Sequence, residues 1–197
     1  RYAAGFLARY RAAQEARVRR IDAFALALLA RKAEARGRAK AGDAGAAALA
    51  AWSPVFEVWR TDADPRCFDL SLDPSDRAYG TLWGADQTAS NYGSVGFARV
   101  CTPESWLSNW SAFHSNAGME RCAPAMTQPT LMIEYTGDNS VFPQEADRIF
   151  AAIGASDKSR HKIHGNHHGR PVDPTAPNGQ LIAGRIIAEW LGQKGFA

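Results

Sequence analysis

The stretch "KIHGNHHGR", residues 162–170, holds His164, His167 and His168, and His161 directly precedes it. Imidazole changes charge near neutral pH, so such a cluster can accept a proton or ligate a metal. The carboxylate with which it could act is Asp138. It follows the apolar run "TLMIEYTG" at 130–137 and lies thirty residues before His168 (168 − 138). Acid before histidine is the late order of a Ser-Asp-His triad. There the histidine takes the serine proton, and the acid holds the imidazole tautomer. A metal reading uses His161, His164, His167 and His168 with Asp138, all suitable ligand types. Against it, a strand turns His161 and His164 to opposite faces, and no H-E-x-x-H occurs.

These residues need elements to position them. The run at 130–137 reads as a strand, and "GDNSVFP" as a turn. "FPQEADRIFAAIGA" reads as a helix from Pro143, with Ala146, Ile149, Phe150 and Ile153 on one face and Gly154 as its stop. "SRHKIHG" is a short strand. "NGQLIAGRIIAEWLGQ" is a closing helix with Leu181, Ile182, Ile186, Ile187, Trp190 and Leu191 as its stripe. Strand, helix, strand, helix predicts an α/β fold with parallel strands. Functional residues in such sheets sit just past the carboxyl ends of strands, where Asp138 and the histidine pair fall.

The upstream part is different. Residues 1 to about 50 read as helix, with Phe6, Tyr10, Val18, Ile21, Phe24, Leu28 and Leu29 at helical spacing, breaking at "GRAKAGDAG". Residues 51–125 carry five of the six tryptophans and many turn formers. "TPESWLSNW" reads as a short helix capped by Thr102, with Pro103 first. The composition is globular, at 46% hydrophobic and 22% charged. A net charge of +3, with basic residues spread along a helix that also carries acids, argues against nucleic-acid binding. No apolar run reaches membrane-spanning length. Cys67, Cys101 and Cys122 form no CxxC and read as idle thiols, with Cys67–Cys101 and Cys101–Cys122 as the disulfides an exported protein would allow.

With "QPTLMIEYTGDNSVFP", "HKIHGNHHGR" and "IAGRIIAEWL" in place, the chain resembles the C-terminal half of an α/β-hydrolase. In that family an apolar strand ends in Gly-Asp or Gly-x-Asp, whose Asp is the triad acid, and a later Gly-x-x-His carries the base. Gly137-Asp138 and Gly165-Asn166-His167-His168 match, so the resemblance implies Asp138 as acid and His168 as base, with His167 as the alternative. It makes residues 126–197 part of the hydrolase core and residues 1–125 a cap or lid, whose Trp83, Trp106 and Trp110 would line an apolar substrate pocket. The family's Gly-x-Ser-x-Gly elbow is absent. "YGSVG" around Ser94 has the wrong spacing. The resemblance therefore implies a nucleophile, oxyanion hole and most of the sheet on an upstream segment or a separate chain. The expected activity is serine hydrolysis of an ester or similar acyl substrate, without cofactor or metal. A non-catalytic hydrolase-like binding module is the alternative. Dehalogenation is a third, needing Asp at the same elbow.

Overall fold

The computed structural model describes residues 1–58, 63–93 and 100–196. In chain order its elements are α1 (Phe6–Lys40), α2 (Ala44–Ala51), β1 (Phe56–Glu57), α3 (Gln87–Tyr92), β2 (Val100–Cys101) and α4 (Pro103–Ser105). There follow α5 (Met119–Cys122), β3 (Thr130–Gly137), α6 (Pro143–Ala152), β4 (Lys158–Asn166) and α7 (Gly179–Gln193). The chain is mixed helix and sheet, α/β in the general sense expected. It forms two compact units, and they do not divide at residue 125. The described residues between 63 and 90 join those from 118 onward, and those between 2 and 62 join those between 91 and 117.

The second of these units is mostly helical. Its α1 runs 35 residues, straight through Gly37. Of the large apolar residues at helical spacing it buries Val18, but its other buried residues are Asp22, Ala25, Lys32 and Ala35, while Phe24 is 52% exposed. Small side chains allow close approach, and α2, capped by Asp43 accepting from the Ala46 amide at 3.2 Å, lies against α1. The core joins Val18 and Ala25 to Val58, Cys101 and Trp106. β1 and β2 pair antiparallel, Phe56 opposite Cys101. The Thr102 hydroxyl accepts from the Ser105 amide at 3.1 Å and starts α4 as expected; a π turn over Trp106–Trp110 continues it.

The sheet unit follows the sequence reading element by element. β3 and β4 pair in parallel, from Thr130 opposite Lys158 to Tyr135 opposite Ile163. Gly137 then faces Asn166, so β4 carries one extra residue near its end. α6 opens on Pro143, with the Glu145 carboxylate accepting from the Phe142 amide at 3.2 Å. Gly154 sits where the chain passes the Pro124 carbonyl; a Cβ there would lie 2.2 Å from that oxygen. α7 is capped by Asn178, whose side chain accepts from the Gln180 amide at 2.9 Å.

The two helices cover opposite faces of β3. Tyr135 reaches toward Gly179 at the start of α7. Glu134, on the other face, is buried beneath Arg160, which also holds Asp147 of α6 at 2.6 Å. Lys162 stands 3.7 Å from the same carboxylate. Removing one partner of a buried pair leaves a charge without compensation, at a cost of about 3–5 kcal/mol. Arg160→Ala should therefore lower the unfolding free energy of the sheet unit, read from urea denaturation, by an amount in that range. Replacing both partners with apolar residues (Glu134→Leu with Arg160→Met) should recover most of the loss. An unchanged midpoint in the single variant would show the pair to be inert.

Among the described residues, one edge of β3 is paired and the other is not. Along the other, residues 130–135 line a groove of about 390 Å³ with Met119, Met126, Val141 and Ile149. Two strands are too narrow to cover α7, so Leu181 stays 66% and Ile187 42% exposed. Parallel sheets are ordinarily buried on both faces and built from more strands. No helix among the described residues is long and apolar enough to cross a membrane.

Candidate active site

β3 ends at Gly137, and the chain turns at once. The Asp138 amide donates to the Tyr135 carbonyl at 3.1 Å. One Asp138 carboxylate oxygen, Oδ1, accepts from the Ser140 amide at 2.7 Å and the Val141 amide at 3.1 Å. This Asx turn fixes the carboxylate with the chain's own donors. Its side chain is 13% exposed.

The partner is His167. Its Nδ1 lies 3.0 Å from Oδ1 and 3.1 Å from Oδ2 of Asp138. An ionised carboxylate only accepts, so the neutral ring must carry its proton on Nδ1 and present a free lone pair on Nε2. The His167 side chain is about one-third exposed. Among the described residues, no hydroxyl or thiol is hydrogen-bonded to Nε2.

The expected Asp138–His168 pairing is thus replaced by Asp138–His167. The reason is local. β4 gains a residue before its end, and a tight turn follows, closed by the Gly169 amide donating to the Asn166 carbonyl at 2.7 Å. His167 and His168 occupy the two central positions of this turn, so their side chains diverge. His168 is exposed, its ring edge-on to that of His167 with centroids 5.1 Å apart. The Asn166 side chain accepts from the amides of His168 and Arg170, at 2.9 and 3.1 Å. Gly169 adopts φ 71°, and a Cβ there would strike the Tyr135 ring at 2.6 Å. The sequence held a signal for this turn: Asn followed three residues later by Gly is favoured in type I turns.

His161 and His164, on β4, stand apart from this pair, as expected from strand alternation. His161 is exposed. His164 Nδ1 lies 3.4 Å from Asp76 Oδ2. Asp76 itself is pinned to β3: its amide donates to the Thr136 carbonyl at 3.0 Å, and the Thr136 hydroxyl donates to Oδ2 at 2.5 Å. That hydroxyl, and secondarily His164, hold the Asp76 carboxyl below its usual range against the opposing pull of burial. Among the described residues, no three His, Cys, Asp or Glu side chains converge to hold a metal ion. None of the three cysteines is disulfide-bonded; Cys67 and Cys101 are buried and Cys122 is exposed.

The tryptophans divide. Trp83 is half-buried, in the loop whose Thr81 hydroxyl accepts its amide at 3.1 Å. Trp110 is 42% exposed. Trp106 has no exposed surface to offer a ligand, contrary to the pocket-lining role expected of it. Its indole N–H donates to Asp22 Oδ1 at 2.7 Å, and the Ser111 hydroxyl donates to Oδ2 at 2.9 Å. Trp106→Ala should destabilise the helical unit by about 3–5 kcal/mol. Trp106→Phe, which strands one carboxylate oxygen, should cost about 1–3 kcal/mol in chemical denaturation. A change of acyl-chain preference with intact stability would return Trp106 to a pocket role. Ser94 lies outside the described residues.

No family model, no curated protein and no solved structure matches the chain.

Proposed function

We propose that this chain supplies the acid and the base of a serine hydrolase of the α/β-hydrolase type, acting on an ester or similar acyl substrate. The observation that carries the reading is the Asp138–His167 pair. Its two members follow consecutive parallel strands, with the carboxylate anchored by backbone amides and Nε2 without a hydrogen-bond partner among the described residues. Nε2 takes the proton of a serine hydroxyl as its oxygen attacks the acyl carbon. The proton then passes to the leaving alcohol as the C–O bond breaks. Water repeats the sequence, releasing the acid and restoring the serine. Asp138 stabilises the imidazolium in both halves. The chemistry needs no cofactor.

The serine would come from a segment outside the described residues, on the same protein or a partner chain. The edge of β3 that no described strand pairs with and the exposed stripe of α7 support this, because further parallel strands would complete both. The absence of a hydroxyl at Nε2 among the described residues also favours a second reading, a hydrolase-like module that binds a small ligand or partner without turnover.

A fluorophosphonate probe on the whole protein separates the two. The hydrolase reading expects one labelled serine, with labelling lost in His167→Ala. No label, or a label indifferent to His167, favours the module.

A further inference from the structure

The acid loop, residues 138–145, is gripped from outside by a segment the proposed mechanism does not use, residues 64–80. The Cys67 thiol donates to the Asn139 carbonyl at 3.5 Å, and the Asn139 side-chain amide donates to the Gly80 carbonyl at 3.2 Å. Asp73 accepts from the Gln144 amide at 3.2 Å. Arg66 pairs with Glu145 at 2.9 Å and lies 3.8 Å over the Phe142 ring.

The gripping segment has little regular structure beyond one 3-10 turn, Pro65–Cys67. Arg77 takes the place of a backbone ladder. It is 3% exposed, and all five of its N–H donors are engaged. Nε and Nη2 donate to the Arg66 carbonyl at 3.3 and 3.0 Å, and Nη2 also to the Leu72 carbonyl at 2.6 Å. Nη1 donates to the Asp73 carbonyl at 2.6 Å and the Ser75 hydroxyl at 2.9 Å. The planar fork thus ties together carbonyls from both arms of the loop. A lysine has three donors at one point and cannot reproduce it.

We infer that Arg77 is a positioning residue for the Asp138–His167 pair, acting through the 64–80 segment on the acid loop. The inference rests on the hydrolase reading for its catalytic meaning, but its geometry can be tested without turnover. In the whole protein labelled with ¹⁵N in its imidazoles, long-range ¹H–¹⁵N spectra report which ring nitrogen of neutral His167 is protonated. The native ring should show the Nδ1–H tautomer alone. Arg77→Lys and Asn139→Ala should each give a mixture of tautomers, approaching that of Asp138→Ala. The amide signals of Tyr135 and Ile163 should stay in place as the record of an intact sheet. If Arg77→Lys fails to fold, Asn139→Ala, which removes a single tie, decides alone. A single unchanged tautomer in every variant that folds overturns the inference. With an aryl ester, Arg77→Lys should lower kcat about 10²-fold at nearly constant KM, the scale of a small misplacement. Mixed tautomers in a protein that hydrolyses no ester would sink the hydrolase reading and leave the positioning role standing.

Discussion

His167→Ala in the whole protein is expected to lower kcat on the order of 10⁶-fold, the scale set by removing the base of a serine triad elsewhere. The expectation depends on Nδ1 being held by Asp138 at 3.0 and 3.1 Å, which leaves Nε2 as the lone proton acceptor of the ring. Folding should survive, because His167 is partly exposed and its turn is closed by Asn166 and Gly169 backbone groups. His168→Ala is the decisive companion. Its ring is exposed and packs T-shaped against that of His167, so its loss should change kcat less than about tenfold. An inactive His168→Ala beside an active His167→Ala would move the base by one residue. Full activity in both would end the proposed mechanism.

Asp138→Asn should lower kcat about 10⁴-fold, for a different reason. The amides of Ser140 and Val141 both point at Oδ1, so the asparagine carbonyl oxygen should keep that place. The new –NH₂ then takes the place of Oδ2, 3.1 Å from His167 Nδ1. It donates where the carboxylate accepted. The ring must respond by carrying its proton on Nε2, the wrong tautomer for a base. Because the turn is preserved, stability should move little. The measurement is kcat together with the urea midpoint. A loss of stability matching the loss of rate would mark Asp138 as a turn residue alone.

The sheet unit was legible where its signals are local. The 130–137 run, Pro143 and the stripe of α6 each announce an element within a few residues, and each formed where expected. The histidine that meets Asp138 was not legible at single-residue precision. The family's spacing points to His168, but one extra residue in β4 and a four-residue turn place His167 against Asp138. The division of the chain was hidden for another reason. Residues 64–80 carry no periodicity; their place is set by Arg66, Asp73 and Arg77 meeting groups from far along the chain or across their own loop. The inner face of α1 was not legible, because close helix contact favours alanine alongside the larger residues that mark an apolar stripe.

The buried thiols make each unit its own clock. Cys67 is sealed in one unit and Cys101 in the other, while Cys122 lies open. A sealed thiol reacts with an alkylating reagent only when its surroundings open, so its modification rate measures local unfolding. Burial also pushes the Cys101 thiol up from its ordinary pKa, slowing its reaction further until it is released. Cys122 would be consumed first, as an internal standard for the reagent. Because the Cys67 thiol donates to the Asn139 carbonyl, its exposure time is also the lifetime of the contact that holds the acid loop. Mass spectrometry of a timed alkylation would thus read, from one sample, how often the acid loop is released and how often the long helix lets go of its core.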